Sequence, residues 1–437
     1  MAFKKVLIIT YYWPPSGGIG VQRWLQFSKY LKNFGWQPVI FTVENANYPI
    51  LDNELIHDIP KDLQIEKVKI FEPNGIFSLL NGKKKQSNNL YNLQQQSNVD
   101  GSIIKKTLWS IRGNFFIPDS RKFWIRKAIR YFRKKLANHK FDAIVSTGPP
   151  HSAHLIALKI STQNNIPWIC DFRDPWTSMD YLKKMNLSNY AKRKHEELEK
   201  KVLTNATAIS VVGRTIQREF LDKYNLESKL VYNGFKPNDA NSNEHIDLDQ
   251  KFTIVHTGSF LFNRNCNDLW EALDMALKSN KNLKKDLEIK LVGNVAQVVL
   301  DSLAKYNLLK NLNRMKHVTH QQAKEIQQSA QLLLLPIDRI ENAEFVITGK
   351  LFEYLQAKRP ILLIGPKNGD AEEIVTSCNA GFTTNFGDVK SIYNVILESY
   401  SQFKEKKLIC ESRDVDQFSY ENLTKSMVEL LEKSIQE

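Results

Sequence analysis

The chain has 437 residues, 42% hydrophobic and 25% charged, a balance typical of an ordinary soluble globular protein and too long for one hydrophobic core, so two domains are expected. No apolar run approaches the roughly 18–20 residues that span a bilayer. The formal net charge of +14 is uneven: residues 1–237 carry +18 and residues 238–437 carry −4.

Two lysines precede an apolar core of about five residues at the N-terminus, too short for a secretory signal and without a small-residue cleavage site. The segment reads as a first strand, and the protein is expected to stay in the cytoplasm. Further strands are expected at 38–43, 143–146, 168–171, 208–212 and 229–232. Between the first two, Val21, Trp24, Leu25, Ser28 and Leu31 fall at helical spacing, and Gly35 ends that helix. Residues 81–102, with Lys83-Lys84-Lys85 and Gln94-Gln95-Gln96, are polar and low in complexity and are expected to form a loop. Residues 101–140 hold 12 basic side chains and one acid, Asp119. Within 121–136, Ile125, Ala128, Ile129, Phe132 and Leu136 form an apolar stripe, and Arg126, Lys127, Arg130, Arg133, Lys134 and Lys135 cover the rest. That face is either a solvated helix surface or a dock for an anionic membrane, helped by Ile103, Ile104, Leu108, Trp109, Phe115 and Phe116 upstream. No recognition motif supports nucleic-acid binding.

Residues 238–250 are polar, acidic and aperiodic, the pattern of a linker. A second series of strands and helices follows: a strand at 253–257, a helix through Leu269, Leu273 and Leu277, strands at 288–292 and 331–336, a helix from 350 to 357 and a strand at 361–364. The division expected is a first domain 1–237, a linker 238–250, a second domain 251–415, and a C-terminal helix in 416–437 packing back on the first. Alternating strands and helices predict two α/β Rossmann-like domains with parallel sheets facing across a cleft, where ligands bind at the carboxyl ends of the strands. The cysteines Cys170, Cys266, Cys378 and Cys410 are scattered and lack metal-ligand spacing, which argues against a zinc site or a disulfide framework.

Two segments carry chemistry. The first strand runs into Pro14-Pro15-Ser16-Gly17-Gly18-Ile19-Gly20 and a helix, an arrangement that lets backbone N–H groups approach a phosphate. The dinucleotide pattern fails at its third glycine, where Arg23 stands, although Glu44 occupies a ribose-binding position; a ligand-free tight turn is the other reading. The second segment is Glu344-Phe345-Val346-Ile347-Thr348-Gly349-Lys350-Leu351-Phe352-Glu353. Thr348 is a plausible N-cap, and Leu351, Phe352 and Leu355 mark a buried stripe. Lys350 and Glu353 share one face of the first turn, either as a site for a diphosphate and a ribose or as a surface ion pair.

These segments, together with residues 142–150 and His151, Cys170-Asp171-Phe172-Arg173-Asp174-Pro175-Trp176, Asn233-Gly234-Phe235 and Thr257-Gly258-Ser259, resemble in order the family-4 retaining glycosyltransferases of the GT-B fold, bacterial enzymes of polysaccharide and envelope glycans. The resemblance spans roughly residues 3–430. It implies a metal-independent, cofactor-free transfer from a nucleotide-diphosphate sugar to a glycan or lipid-linked acceptor. It also implies a donor site from Gly17, Gly18, Gly258, Ser259, Arg264, Thr348, Gly349, Lys350, Leu351 and Glu353. Arg264 and Lys350 face the diphosphate and Glu353 the ribose. The sugar-facing carboxylate of the family lies eight positions before the ribose one; here Phe345 holds that place, and Glu344, nine before Glu353, is the candidate. His151 is the residue expected near the transferred sugar, with His154 competing. Asp171, Arg173 and Asp174 either position the acceptor or form a local salt-bridged turn. A sugar-nucleotide epimerase and a catalytically silent scaffold are the alternatives. A peripheral place at the inner face of the plasma membrane completes the expectation.

Overall fold

The computed structural model describes residues 3–72, 103–136, 139–237, 246–316 and 318–436. The polar stretch 81–102 and most of the expected linker, 238–245, lie outside the described residues. The chain forms two compact units, Met1–Lys236 with Phe418–Glu437, and Pro237–Gln417.

In the first unit, β1 (Lys4–Ile9), α1 (Ile19–Tyr30), β2 (Trp36–Val43) and β3 (Gln64–Val68) are followed by α2 (Ile103–Phe115) and α3 (Lys122–Tyr131). Then come β4 (Ala143–Gly148), α4 (Ser152–Asn164), β5 (Trp168–Phe172), the short α5 (Asp180–Lys184), α6 (Asn189–Asn205), β6 (Ala208–Val211), α7 (Arg214–Tyr224) and β7 (Lys229–Leu230). The seven strands form one parallel sheet in the order β3-β2-β1-β4-β5-β6-β7. Parallel strands covered on both faces are built from continuous apolar runs. Val6, Leu7, Ile8 and Ile9 of β1 are accordingly wholly buried, with Ile8 in register with Ile40 on one side and Val145 on the other. The strand order reverses between β1 and β4. The turns leaving these two strands therefore diverge, which is where α/β sheets expose their crevice.

The second unit contains β8 (Phe252–Thr257), α8 (Asn267–Ser279), α9 (Lys281–Asp286), β9 (Leu287–Val292), α10 (Gln297–Lys305), β10 (Leu312–Met315) and α11 (His320–Ser329). It continues with β11 (Leu332–Pro336), α12 (Gly349–Ala357), β12 (Ile361–Gly365), α13 (Asp370–Ser377), β13 (Gly381–Asn385) and α14 (Val389–Lys404). Its parallel sheet runs β10-β9-β8-β11-β12-β13, with the reversal between β8 and β11. Both sheets are of the Rossmann-like kind that the alternating pattern predicts. No helix among the described residues is long and apolar enough to cross a membrane.

The last helix, α15 (Tyr420–Ser434), belongs to the first unit. Tyr420, Leu423, Met427 and Leu431 recur at helical spacing and enter the core that holds Trp24, Phe27, Leu31 and Trp36. Glu432 accepts a 2.8 Å hydrogen bond from the Trp36 indole and pairs with Lys4, fixing the helix rotation. Leu431→Ala removes a fully buried side chain and should cost about 2–5 kcal/mol, all of it in the first unit. Hydrogen–deuterium exchange should then rise in α1, β1 and β2 while β8 and β9 keep their protection.

Candidate functional site

The carboxyl edge of the second sheet gathers most of the sequence-selected donor residues. β8 ends at Thr257, and Gly258 and Gly293, following β8 and β9, hold φ values of +104° and +117°. Those are left-handed conformations that side-chain-bearing residues rarely adopt. Their missing side chains also matter. A Cβ on Gly293 would lie 2.5 Å from the Gly258 carbonyl oxygen, and one on Gly258 would lie 2.1 Å from Lys350 Cε. The Lys350 side chain thus crosses bare backbone at the end of β8.

Lys350 is placed by the start of α12. Thr348 is the N-cap residue, yet its hydroxyl makes no cap bond and is buried without a hydrogen-bond partner among the described residues. The Leu351 N–H turns back to the Thr348 carbonyl at 3.1 Å, which leaves the Gly349 and Lys350 N–H groups, among the described residues, as the first-turn donors for an external acceptor. Lys350 Nζ lies 3.6 Å from Glu353 Oε2. Gln327, buried on α11, donates to Glu353 at 3.0 Å and to the Thr257 hydroxyl at 2.8 Å, and the Thr257 N–H donates to the Tyr354 hydroxyl at 3.0 Å. These bonds brace the lysine and the carboxylate against β8.

Arg264, on the turn Phe262–Arg264, donates to Asp338 at 2.6 and 3.2 Å and to the Ser259 carbonyl at 3.3 Å. The neighbouring His256 imidazole is pushed down to about 3, first by burial and then by the positive fields of Lys350 and Arg264. Both cations consequently act on one corner, Gly258–Ser259. Leu351 is fully buried and serves the core; Gly349 opens the helix beside Thr348. Glu344 stands exposed on the separate turn Ala343–Phe345. Asp338 and Gln327 were not among the residues selected from sequence, and Thr257 was marked there only as part of the Thr257-Gly258-Ser259 motif; the local signal for Asp338 was an Asp-Arg pair just beyond the apolar run of β11.

In the first unit, Gly18 caps α1 with φ +103° and open space where a Cβ would stand, while a Cβ on Gly17 would lie 3.0 Å from Ile50. At Gly20 a Cβ would fall 1.6 Å from the Arg173 guanidinium, which lies on the first turn of α1 and bonds the Thr147 hydroxyl at 3.0 Å and the Pro149 carbonyl. Asp171 is fully buried. Its oxygens accept from Arg23 at 2.8 and 3.2 Å, Trp24 at 2.8 Å, Thr147 at 2.9 Å and Ser210 at 2.8 Å. Burial works to raise its pKa, but the Arg23 charge and these bonds hold it below the usual range. Arg23, which breaks the dinucleotide pattern, is the counterion that Asp171 requires. Asp174 is pushed up to about 6 by burial, partly offset by Arg173.

His151 and His154 differ in their contacts. His154 Nδ1 pairs with the Ser146 hydroxyl at 2.8 Å, and Trp168 donates to the same hydroxyl at 2.8 Å. His151 stacks on Trp176 at 4.3 Å and 1°, and neither of its buried ring nitrogens has a partner among the described residues. Both rings crowd Gly148: a Cβ there would lie 2.4 Å from His154 Nε2 and 3.2 Å from His151 Nδ1. Burial drives both imidazoles down, His154 to about 3, so both are neutral near pH 7.

No protein-family model matches the chain, and no curated protein does. Solved structures do resemble it. HepE of Anabaena, in complex with UDP and glucose, is 14% identical, covers 98% of this chain and 100% of its own, and has a TM-score of 0.61. Sucrose-phosphate synthase from Thermosynechococcus elongatus is 14% identical over 98% of both chains, with a TM-score of 0.60. TarM of S. aureus, 10% identical over 98% of this chain and 100% of its own, reaches 0.58. The fold is therefore GT-B, the architecture of these glycosyltransferases.

Two outcomes are expected. Gly258→Ala strains the left-handed turn and displaces Lys350, so the melting temperature should fall relative to wild type in a thermal denaturation scan. His154 and His256 stay neutral when folded but titrate near 6.5 when unfolded. Their contribution is full above pH 6.5 and lost as pH falls toward about 3, because protons bind the unfolded chain first. Melting temperature should drop on acidification below 6.5, and less steeply in His154→Gln.

Proposed function

We propose that the protein is a glycosyltransferase moving a sugar from a nucleoside-diphosphate sugar to a glycan or lipid-linked acceptor, with retention of configuration and without a metal. The observation that carries this reading is the convergence of Arg264 and Lys350 on the Gly258–Ser259 corner at the start of α12. Two cations and the Gly349 and Lys350 N–H groups at a helix N-terminus form a setting for a diphosphate. UDP, the nucleotide bound in HepE, is the donor handle expected here.

In the proposed reaction the bond from the anomeric carbon to the β-phosphate oxygen breaks. The departing diphosphate takes the electron pair under the fields of Arg264 and Lys350. An acceptor hydroxyl attacks the same face of the oxocarbenium-like sugar and passes its proton to the departing phosphate oxygen. Glu353, braced by Gln327, accepts hydrogen bonds from the ribose hydroxyls. His151, neutral and with unpartnered nitrogens, is assigned to a hydroxyl of the transferred sugar. Glu344 is retained as the candidate for holding that sugar. Arg173 and Asp174 stay candidates for the acceptor side, whereas Asp171 acts through them by fixing the end of β5. The protein is placed in the cytoplasm, working at the inner face of the plasma membrane.

A second reading, a sugar-nucleotide epimerase, is favoured by one resemblance: a Listeria monocytogenes structure described as a UDP-N-acetylglucosamine 2-epimerase is 8% identical over 100% of this chain and 97% of its own, with a TM-score of 0.56. Acceptor dependence separates the two. A transferase releases nucleoside diphosphate faster when acceptor is present; an epimerase alters the sugar with none. Lys350→Ala and Arg264→Ala should each lower kcat by about 2–4 kcal/mol in barrier, roughly 30- to 1000-fold. Turnover at the unmodified rate in both variants would remove these cations from the reaction.

A further inference from the structure

The first unit presents a surface that the transfer reaction does not use. α2 ends and α3 begins in a cluster of exposed rings. Phe115 is 69% exposed, Phe71 52%, Phe123 39% and Ile111 37%. The cluster is continuous: the Phe123 ring lies 5.8 Å from Phe71 and 6.2 Å from Phe116, and Lys122 Nζ sits over Phe116 and Phe123 at 4.9 and 5.5 Å. Along α3 the exposed stripe then turns basic. Arg126, Lys127 and Arg130 face solvent, followed by Arg133, Lys134 and Lys135 on the turn Phe132–Leu136. The opposite face of α3 is anchored by buried Trp124 and Ala128, so this stripe is the side left outward.

The charge of this surface is only partly offset locally, by Glu66 near Lys135. No acid occurs between Lys122 and Lys140. Asp119 accepts from the Ser152 N–H and hydroxyl and Glu72 from Tyr11, while Glu66 accepts from Tyr131 of α3 itself, a bond that together with the fields of His139 and Lys135 holds its carboxyl below the usual range. Exposed Lys67 on the edge strand β3 adds to the same sign. Basic side chains beside exposed aromatic edges match the boundary between anionic headgroups and acyl chains. Single-stranded nucleic acid fits less well, because base stacking needs open ring faces. Here the Phe116 and Phe123 rings meet edge to face, at 75°, and both are covered by Lys122.

From this arrangement we infer that the α2–α3 surface docks the protein on an anionic phospholipid bilayer, with Phe71, Phe115 and Phe123 entering the interface and α3 lying along the headgroups. The inference rests on the lipid-linked-acceptor part of the functional reading for its purpose, because it states how the enzyme meets an acceptor held in a membrane. The binding itself needs neither donor nor turnover.

The test is flotation of the full chain with phosphatidylglycerol-containing vesicles and with pure phosphatidylcholine vesicles. Wild type should float with the first and remain behind with the second. Each basic side chain near an anionic leaflet contributes about 1 kcal/mol, roughly fivefold in partition, so the triple variant Arg126→Glu/Lys127→Glu/Arg130→Glu should bind about a hundredfold more weakly or worse. Phe115→Ser/Phe123→Ser should bind at low salt and come off at salt concentrations that wild type withstands. Lys284→Glu/Lys285→Glu, on α9 of the second unit, should float like wild type, and UDP-induced thermal stabilisation should be unchanged in all variants, showing that they fold. Equal binding to both vesicle types, or full binding by the triple variant, overturns the inference. So does self-association abolished by the phenylalanine changes without any flotation, which would assign the face to a second copy. A protein that ignores vesicles yet releases nucleotide in the presence of a soluble acceptor loses the docking surface and keeps the transferase reading; one that floats but never turns over does the reverse.

Discussion

The contact on which the carboxyl edge of the second sheet depends is that of Lys350 with the bare backbone of Gly258. A lysine at the first turn of a helix ordinarily extends into water, where its charge is screened and mobile. Here the chain removes two side chains, at Gly258 and Gly293, so that the turns after β8 and β9 close on one another and the lysine stem lies across them. The ammonium is thereby held beside a helix start whose cap hydroxyl makes no cap bond. Everything else at this edge reinforces that placement. Glu353 sets the direction of the charge, Gln327 holds Glu353, and Thr257 ties Gln327 to the last residue of the strand.

The first unit solves the corresponding problem with a buried ion pair. Asp171 at the end of β5 would be costly in so apolar a setting, and five hydrogen bonds from Arg23, Trp24, Thr147 and Ser210 offset that cost. Because its partners come from α1, β4 and β6, one carboxylate locks three elements at the carboxyl edge of the sheet. Arg173, two residues on, is thereby aimed along the Gly20 face of α1. Rigid surroundings of this kind keep His151 in a neutral, unpartnered state without collapse of the site around it.

What was legible in the sequence followed locality. The buried strands β1, β4, β8, β11 and β12 read as apolar runs because both faces of a parallel sheet are covered. The edge strands β3, β10 and β13 carry polar, partly exposed residues such as Glu66, Asn313 and Thr383, so no run announced them. At the candidate site the Lys350–Glu353 pair was visible because three positions on a helix bring side chains together. Asp338 reaches Arg264 across 74 positions and Asp171 reaches Arg23 across 148, distances over which spacing carries no information. That His154 rather than His151 meets the Ser146 hydroxyl is a fact of packing that spacing does not carry.

The two cations at the carboxyl edge of the second sheet differ in their surroundings. Arg264 is already bonded to Asp338 through two nitrogens, at 2.6 and 3.2 Å. A neighbouring carboxylate cancels much of its field at longer range while fixing the direction of its remaining N–H groups. Lys350 has its carboxylate at 3.6 Å, beyond hydrogen-bond distance, and so retains more uncompensated charge. On the proposed reaction both cations face the departing diphosphate, Arg264 in a direction fixed by Asp338 and Lys350 with the less compensated charge. A cation that answers developing negative charge favours the transition state over the ground state, so on that proposal each of the two lowers the barrier rather than only tightening binding.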